Sequence, residues 1–169
     1  MDRDDPTAAG KPLQAHRWRE FCLSSVTTHD LPPTAGYLAG EHVRLRAELG
    51  LLTRPVEDEL ADDRAEQSAW VAELRLAGLL GEKPGVDDTV LALYRYLGMT
   101  PSRLLCLSLA DAVGEMRTQN QPGTTDEYPN WRIPLGGPDG RRLYLEEVFS
   151  DPRAAALCEA LHAAVTTQV

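Results

Sequence analysis

Two apolar runs in the chain have the length and composition of short buried strands. The first, residues 21–28, is rich in β-branched side chains and ends at His29-Asp30, directly before two prolines. The second, residues 103–111, is almost continuously apolar, which is typical of a strand covered on both faces. We therefore predict one β-strand in each run.

Three stretches between these strands show helical spacing. Over residues 34–49 apolar side chains recur every three to four positions, and Gly50 follows as a stop signal. A long charged helix is predicted over residues 56–80, and a third helix begins at Asp87, its cap, and ends at Gly98. The order strand, three helices, strand is typical of an α/β protein with a parallel sheet.

The region after the second strand predicts a long loop followed by helices. Residues 114–140 are rich in Gly, Pro, Asn, Thr and Asp without periodicity, and a loop of this length in a compact domain is often functional. A short helical turn over residues 143–149 precedes a last helix, which Asp151 caps and Pro152 opens. Two parallel strands do not form a stable sheet alone, so the pattern predicts a piece of something larger.

Length and charge narrow the possible function classes. The chain has 169 residues, 43% of them hydrophobic, which is enough for one domain with a real core. Its net charge of -9 argues against nucleic-acid binding, which needs a surface of Lys and Arg. No apolar run approaches the roughly 20 residues of a membrane span. Residues 1–17 are polar and aperiodic, which predicts a disordered leader or linker remnant without the features of a signal peptide.

The three cysteines, Cys22, Cys106 and Cys158, lie far apart in the sequence and are odd in number. Cys22 and Cys106 lie in apolar runs and Cys158 on a helical face. We therefore interpret all three as buried free thiols rather than as disulfide partners or metal ligands. Free thiols are typical of the reducing cytoplasm, where we expect this protein to be located.

His29 and Asp30 are the first candidates for chemistry. They follow the first strand at its carboxyl end, just before a helix, and in β/α barrels that end of the strands carries the active site. A carboxylate there faces a cleft, beside an imidazole that can donate a hydrogen bond to a substrate hydroxyl. The alternative is structural, with Asp30 capping the following helix and His29 packed against the protein.

The segment 111–135 follows the second strand in the same topological position. It offers amides, carboxylates and the aromatic residues Tyr128 and Trp131, with Gly123 as a hinge. Amides and carboxylates hydrogen-bond sugar hydroxyls, and aromatic faces stack on pyranose rings. The alternative is a long loop that Trp131 anchors on the core.

The two segments together resemble one family. THDLPPTAGYL, at residues 28–38, is followed about 85 residues later by GEMRTQNQPGTTDEYPNWR, and this pair closely resembles the C-terminal region of amylomaltases, also called 4-α-glucanotransferases. The stretches HVRLRAELGLL and EEVFSDPRAAALCEAL resemble the same family. The resemblance covers residues 18–169, and the two motifs in this order are highly specific.

The resemblance implies a fold and a reaction. We expect residues 18–169 to be the C-terminal portion, about the last two β/α units, of an eight-stranded β/α (TIM) barrel glycosidase, helix-rich as an isolated chain. The family transfers α-1,4-glucan segments between maltooligosaccharides by a retaining double displacement. In that mechanism one carboxylate attacks the anomeric carbon and a second donates and recovers a proton. The resemblance implies no metal and no organic cofactor.

The family's motifs also imply roles for individual residues. Asp30 matches the third carboxylate of the family, the transition-state stabiliser that holds the distorted sugar, and His29 is its neighbour on the same sugar. Asn120 and Gly123 match an Asn-x-Pro-Gly stretch that borders the sugar-binding cleft. Arg117 and Trp131 are further candidates for substrate binding on the same loop.

The family's nucleophile and acid/base are expected upstream of the His29-Asp30 motif, and no Asp or Glu before His29 lies in either of their motifs. A retaining enzyme needs two carboxyl groups about 5 Å apart, so we expect the isolated chain to be inactive. Three interpretations stay open: a transferase fragment, a non-catalytic α-glucan-binding or interaction module, or one half of an enzyme whose missing N-terminal part is a separate polypeptide. The expected partners are α-1,4-glucans, maltooligosaccharides and that missing part, and neither nucleic acid nor a membrane.

Overall fold

The computed structural model describes residues 10–167, and there the predicted α/β class is confirmed. Two strands, β1 (Leu23–Ser25) and β2 (Leu104–Cys106), pair in parallel, with Leu23 opposite Leu104 and Ser25 opposite Cys106. A parallel pair needs a crossover connection, which the intervening helices provide. The helices of the described residues are α1 (Thr34–Leu38), α2 (Glu41–Glu48), α3 (Val56–Leu76), α4 (Val86–Gly98), α5 (Leu109–Ala112), α6 (Leu145–Ser150) and α7 (Pro152–Thr167).

Both strands are shorter than their apolar runs, because each run leaves the sheet after three paired residues. After β1, the Ser25 hydroxyl donates to the Thr27 carbonyl oxygen at 2.7 Å and closes a turn. After β2, the Ser108 hydroxyl accepts the Asp111 N–H at 3.5 Å and begins α5, so the end of the second run is helical. The prediction of a second strand covered on both faces is wrong, since Leu104 is 62% exposed.

Glycines place two helix ends differently from the prediction. The single helix predicted over residues 34–49 is broken into α1 and α2 at Gly40, whose φ of 72° lies in the left-handed region. α3 ends earlier than predicted because Gly78 has a φ of 71°, and the following Leu79 N–H reaches back to the Leu74 carbonyl oxygen at 2.9 Å. This arrangement satisfies carbonyl oxygens that a helix end leaves without partners.

The caps of the later helices agree only in part with the prediction. At the start of α4, the Gly85 N–H donates to Asp88 Oδ2 at 2.8 Å, so Asp88 rather than Asp87 closes the first turn. At the start of the last helix the prediction is confirmed. Pro152 opens α7, and Asp151 Oδ1 accepts a backbone N–H from its first turn at 2.8 Å.

The core lies mainly between α4 and α7. Tyr94 and Leu97 from α4 pack in one buried cluster with Leu157 and Leu161 from α7. A second cluster joins α3 to the other face of α4 around Leu74, which is completely buried. None of the helices over residues 10–167 is long and apolar enough to cross a membrane.

The predicted disordered leader is wrong in its last part. A 3-10 helix, Ala15–Arg17, precedes β1, and the Ala15 side chain is buried in the second core cluster. The adjoining chain is held as well, because Trp18 Nε1 donates to the Leu13 carbonyl oxygen at 3.1 Å. The prediction failed because Ala15 is a small apolar side chain that packs in the core, whereas a uniformly polar leader would stay in solvent. Residues 1–9 lie outside the described residues, and a boundary after residue 17 stays a prediction.

The cysteines have free thiols, as predicted, but the prediction that they are buried is wrong. Cys22 is half-buried, whereas Cys106 and Cys158 are exposed. In β2 the exposed residues Leu104 and Cys106 flank the half-buried Leu105. Side chains alternate between the two faces of a strand, so Cys106 lies on the face that the helices leave uncovered.

A buried carboxylate joins the segments that follow the two strands. Asp111, only 2% exposed, accepts hydrogen bonds from the Thr34 N–H and hydroxyl, both at 2.6 Å, and from the Tyr94 hydroxyl at 2.9 Å. Burial raises the pKa of Asp111, although these three donors oppose the shift. The network ties α1, α4 and α5 together, and it thereby holds the carboxyl ends of β1 and β2 side by side.

We expect Gly36→Ala to destabilise the protein. Gly36 lies in α1 at its contact with the loop 114–140, and a Cβ atom there would overlap the Met116 carbonyl oxygen. Because that oxygen belongs to the main chain, it cannot swing aside as a side chain would. Overpacking of this kind typically costs 1–3 kcal/mol, so we expect a loss of about 2 kcal/mol in the free energy of unfolding. Urea unfolding followed by circular dichroism measures the change.

A matched glycine gives the control. Gly81 has open space around its Cα, with no heavy atom within 4 Å of an added Cβ. Gly81→Ala is therefore expected to change the free energy of unfolding by no more than about 0.5 kcal/mol. Equal stabilities of Gly36→Ala and Gly81→Ala would contradict a tight contact between α1 and the loop.

Candidate active site

His29 and Asp30 occupy an exposed turn directly after β1. The Leu31 N–H donates to the Thr28 carbonyl oxygen at 3.1 Å and closes this turn. His29 Nε2 lies 3.1 Å from Asp30 Oδ2, and the two side chains are 63% and 52% exposed. The turn therefore presents an imidazole and a carboxylate side by side to solvent at the carboxyl end of a strand.

The structural alternatives for this pair do not hold. Asp30 does not cap the following helix, because the first helical N–H, that of Thr34, donates to Asp111 instead. His29 is not packed into the protein either, since most of its side chain is exposed. Asp111 therefore accepts the N–H that begins α1, and Asp30 stays available to bind a ligand.

Asn120 connects the two candidate segments across the site. Its Nδ2 donates to Asp30 Oδ1 at 2.7 Å, although 90 residues separate the two in the sequence. With His29 at the other oxygen, both oxygens of Asp30 are oriented by neighbouring side chains. Hydrogen bonds to a carboxylate are roughly twice as strong as neutral ones, so they fix the direction in which Asp30 faces.

Trp131 forms a wall beside His29. The centroids of the two rings are 5.5 Å apart and their planes are tilted by 41°. The predicted alternative, in which Trp131 anchors the loop on the core, is wrong because the side chain is 63% exposed. Trp131 also has a φ of 61°, the left-handed region that a bulky residue adopts at an energetic cost, and strain of this kind is often found at functional sites.

Internal hydrogen bonds shape the loop that carries Asn120 and Trp131. Asn130 Oδ1 accepts the Gln121 N–H at 2.7 Å, and Asn130 Nδ2 donates to the Thr124 hydroxyl at 2.8 Å. Gly123 lies within this turn with a φ of 88°, so the turn needs a glycine there. These bonds close residues 121–130 on themselves, and the Trp131 N–H donates to the Gln119 carbonyl oxygen at 2.9 Å, which holds the two flanks of the turn together.

A buried ion pair holds the base of the same loop. Glu115 is 0% exposed, and its carboxylate accepts hydrogen bonds from Arg117 Nε at 2.9 Å and Arg117 Nη2 at 2.6 Å. It also accepts the backbone N–H groups of Met116, Arg117 and Gly136. Burial alone would raise the pKa of Glu115, but these hydrogen bonds outweigh burial and lower it.

The candidate residues thus fall into two groups. One group meets at a single exposed site and consists of His29, Asp30, Asn120 and Trp131. The other is Arg117, whose guanidinium group donates hydrogen bonds to Glu115 and to the Pro134 carbonyl oxygen instead. The first group has acceptors, donors and an aromatic face for a hydroxylated ring. Among residues 10–167, no three His, Cys, Asp or Glu side chains gather as a metal site would require.

Sequence reasoning missed three residues that hold the site together. Asp111 and Glu115 were each part of a segment singled out for its chemistry, and Asn130 was one of many polar loop residues. The available signal was weak. A single carboxylate after an apolar run suggests either a cap or an active-site group, and only the buried Thr34 and Tyr94 contacts distinguish the two.

Comparisons with known proteins agree on one family. A family model described as 4-alpha-glucanotransferase matches residues 2–138. The chain is 68% identical to a 4-alpha-glucanotransferase of Mycobacterium tuberculosis over 169 residues, and 26% identical to one of Haemophilus influenzae over 124 residues. The matched region is 99% of this chain but 23% of the mycobacterial protein, and 68% of this chain but 18% of the Haemophilus protein.

A solved structure supports the same relationship. The crystal structure of amylomaltase from Corynebacterium glutamicum matches with a TM-score of 0.85 and 38% sequence identity. The match covers 89% of this chain and 23% of that one. The chain therefore spans about a quarter of the length of the relatives that it matches.

Proposed function

Because the chain belongs to the 4-α-glucanotransferase family, we propose that it carries the sugar-orienting part of a 4-α-glucanotransferase active site. Asp30 is the transition-state stabiliser in this proposal, and His29 and Asn120 orient it. One observation supports this most strongly. Both oxygens of the Asp30 carboxylate have a neighbouring nitrogen, at 2.7 Å and 3.1 Å, while half of the side chain stays open to solvent.

The proposed reaction is a retaining transfer of an α-1,4-glucan segment. A nucleophilic carboxylate attacks the anomeric carbon as the glycosidic bond breaks, and an acid gives its proton to the leaving glucan oxygen. The 4-hydroxyl of an acceptor glucan then gives its proton to the same residue and displaces the carboxylate. Asp30 accepts hydrogen bonds from hydroxyls of the reacting sugar, and its negative charge favours the positively charged, flattened ring of the transition state.

The loop residues take supporting roles in the proposal. The Trp131 indole offers an apolar face beside His29 on which a neighbouring pyranose ring stacks. Gly123 and Arg117 act on sugar binding through the shape of the loop, because Gly123 permits its turn and Arg117 is bonded to the buried Glu115. The nucleophile and the acid/base are proposed to come from another part of the enzyme.

The proposed partner is the remainder of a β/α barrel, in the same polypeptide or in a separate one. β1 and β2 pair only with each other within the described residues. Leu23 and Leu104 in these strands and Phe21 before β1 are large, apolar and exposed. Uncovered sheet edges and apolar patches favour association with further strands. The free thiols favour a cytoplasmic location, and the net charge of -9 disfavours nucleic acid as a partner.

A chimera tests the proposed function. We expect transfer activity when this chain replaces the matching 23% of the mycobacterial enzyme, because 68% identity preserves most contacts across the junction. Glucose release from maltotriose measures transfer. This chain alone, at equal concentration, is expected to release no glucose above the background. A folded but inactive chimera would contradict the proposal, as would full activity of the chain alone.

A second candidate function is a non-catalytic α-glucan-binding module. The observation that favours it is the exposure of His29, Asp30 and Trp131, which leaves these three side chains accessible to a sugar on this chain alone. Calorimetry with maltoheptaose distinguishes the candidates, since a module binds without any further chain. A folded chain that binds no maltoheptaose would exclude the module.

A further inference from the structure

The turn that carries His29 and Asp30 is closed by a side-chain hydroxyl. The Thr27 hydroxyl donates to the Pro32 carbonyl oxygen at 2.8 Å and so joins the two ends of residues 27–32. A hydroxyl has one proton to donate, and the Thr28 carbonyl oxygen, at 3.4 Å, is a weaker acceptor for it. His29 and Asp30 therefore lie within a short loop that the Thr27 hydroxyl closes.

The main chain has few donors with which to hold this turn. Pro32 and Pro33 have no N–H, so neither can donate a hydrogen bond. The N–H groups on either side of the two prolines are used elsewhere. Leu31 donates within the turn at 3.1 Å, and Thr34 donates to the buried carboxylate of α5 at 2.6 Å. The Thr27 hydroxyl therefore supplies a bond between the ends of the turn that these main-chain groups do not provide.

Packing does little to brace one side of this turn. A cavity of about 340 Å³ lies between the turn and the helices α3 and α4, and Thr27, Leu31 and Pro32 form part of its wall. Close packing fixes a segment only where atoms touch it, so the turn gains little support from these helices across the cavity. The hydrogen bond of the half-buried Thr27 therefore gives the turn support that packing gives elsewhere.

Thr27 and Asn120 act on Asp30 in different ways. Asn120 orients the carboxylate directly through its hydrogen bond at 2.7 Å, whereas Thr27 fixes the main chain from which that carboxylate extends. Asp30 and Asn120 do not line the cavity that Thr27 lines, so Thr27 lies on another side of the turn from the candidate active site. Any influence of Thr27 on a bound sugar would therefore pass through the position of Asp30.

We propose that Thr27 is a positioning residue for the transfer reaction and holds Asp30 where the reacting sugar needs it. This inference rests on the proposed function, because Thr27 acts only through Asp30. A misplacement of about 1 Å at a catalytic group can cost about a hundredfold in rate. Without the Thr27 hydroxyl the Leu31 N–H still holds part of the turn, so we expect a smaller loss of about tenfold.

Two substitutions in the chimera test this role. Thr27→Val keeps the β-branched shape and removes the hydroxyl. We expect kcat for glucose release from maltotriose to fall about tenfold and KM to change less than about twofold, because Asp30 favours the transition state over the bound substrate. Thr27→Ser keeps the hydroxyl and is expected to recover most of that loss. An equal loss in both variants, or an unchanged kcat in Thr27→Val, would overturn the proposal. Thr53→Val, at an exposed position, is the control and should keep full activity.

Amide hydrogen exchange in the chain alone tests the contact without an activity measurement. The Leu31 N–H closes the same turn, so Thr27→Val is expected to raise its exchange rate at least about fivefold relative to Thr27→Ser. The Thr34 N–H, bonded to the buried Asp111, should exchange at the same rate in both variants. Equal Leu31 rates would overturn the proposal, and so would an equal acceleration at Thr34, which would indicate general destabilisation. An inactive chimera in which Thr27 still protects the Leu31 N–H would contradict the proposed function instead.

Discussion

Replacing Asp30 by Asn is expected to lower the transfer rate of the chimera by about three orders of magnitude. Asn has nearly the same shape but no charge, so the substitution removes the attraction to the positively charged transition state. Loss of one such stabilising group typically costs 10²- to 10³-fold in rate, and a thousandfold loss corresponds to about 4 kcal/mol in activation free energy. Initial rates of glucose release from maltotriose, with both proteins at saturating substrate, measure the effect.

The fold is expected to survive this substitution. Asp30 is half exposed, and its hydrogen bond partner Asn120 lies on the surface loop. The Thr34 N–H that begins α1 is bonded to Asp111, so the helix does not need the Asp30 carboxylate. Far-UV circular dichroism and the urea midpoint should therefore match the parent protein.

A second Asp→Asn variant serves as the matched control. Asp58 is an exposed carboxylate in the first turn of α3. Asp58→Asn makes the same change in charge and shape, and full transfer activity is expected. Near-normal turnover of Asp30→Asn would refute its assigned role, while an equal loss in Asp58→Asn would point to a general effect of charge.

Replacing Glu115 by Ala is expected to reduce the free energy of unfolding by about 3 kcal/mol. The substitution leaves the Arg117 guanidinium without its carboxylate and three backbone N–H groups without an acceptor. Breaking a buried ion pair typically costs 3–5 kcal/mol, and we expect the lower end because Arg117 is 39% exposed and can turn to water. Urea unfolding at pH 7 measures the loss.

The effect should reach the site as well as the fold. Glu115 joins the start of the loop to Gly136 by a hydrogen bond. Asn120 and Trp131 belong to the stretch of sequence between these two residues. A loosened loop would no longer hold Asn120 at 2.7 Å from Asp30. We therefore expect Glu115→Ala to weaken maltoheptaose binding by the chimera together with its stability, whereas Asp30→Asn leaves stability unchanged.

The contribution of Glu115 depends on pH in a defined direction. Its pKa is lowered in the folded protein, so the folded state binds the proton less tightly than the unfolded state. The stabilisation is fully present above the ordinary glutamate pKa of about 4.3 and is lost as the pH falls through the lowered value. The contribution of Asp111 to stability changes with pH in the opposite direction because its pKa is raised. A comparison of variants is therefore needed to separate the contributions of Glu115 and Asp111.

Glu115→Gln makes that comparison. The difference in free energy of unfolding between this variant and the parent is expected to shrink as the pH falls below about 4. The Glu115 carboxylate of the parent is then protonated and, like Gln, carries no charge. Glu82→Gln, at an exposed position, is the control and should show no such trend. A difference for Glu115→Gln that stays constant down to pH 3 would contradict a charged Glu115 in the folded state.

The sequence could predict the order of elements because that order depends on local patterns. Apolar spacing placed three helical stretches between two strands, which the structure divides into four helices, and Asp151-Pro152 marked the start of α7 correctly. Helix ends were less predictable. The break at Gly40 needs a residue that tolerates a φ of 72°, but Gly36 in the same stretch is helical, so no local rule chooses one glycine over the other.

The sequence by itself determined the candidate chemistry, because His29-Asp30 and the loop 114–140 follow the two strands at the end where such sites occur. It also determined the family, since the two motifs are long and specific. Only the tertiary structure decided which residues meet. Asn120 reaches Asp30 across 90 residues, and Asp111 rather than Asp30 caps α1. These outcomes depend on burial and on contacts between distant segments. Each of the two Asp residues follows an apolar run, but helices bury Asp111, which becomes a cap, and leave Asp30 exposed to bind a ligand.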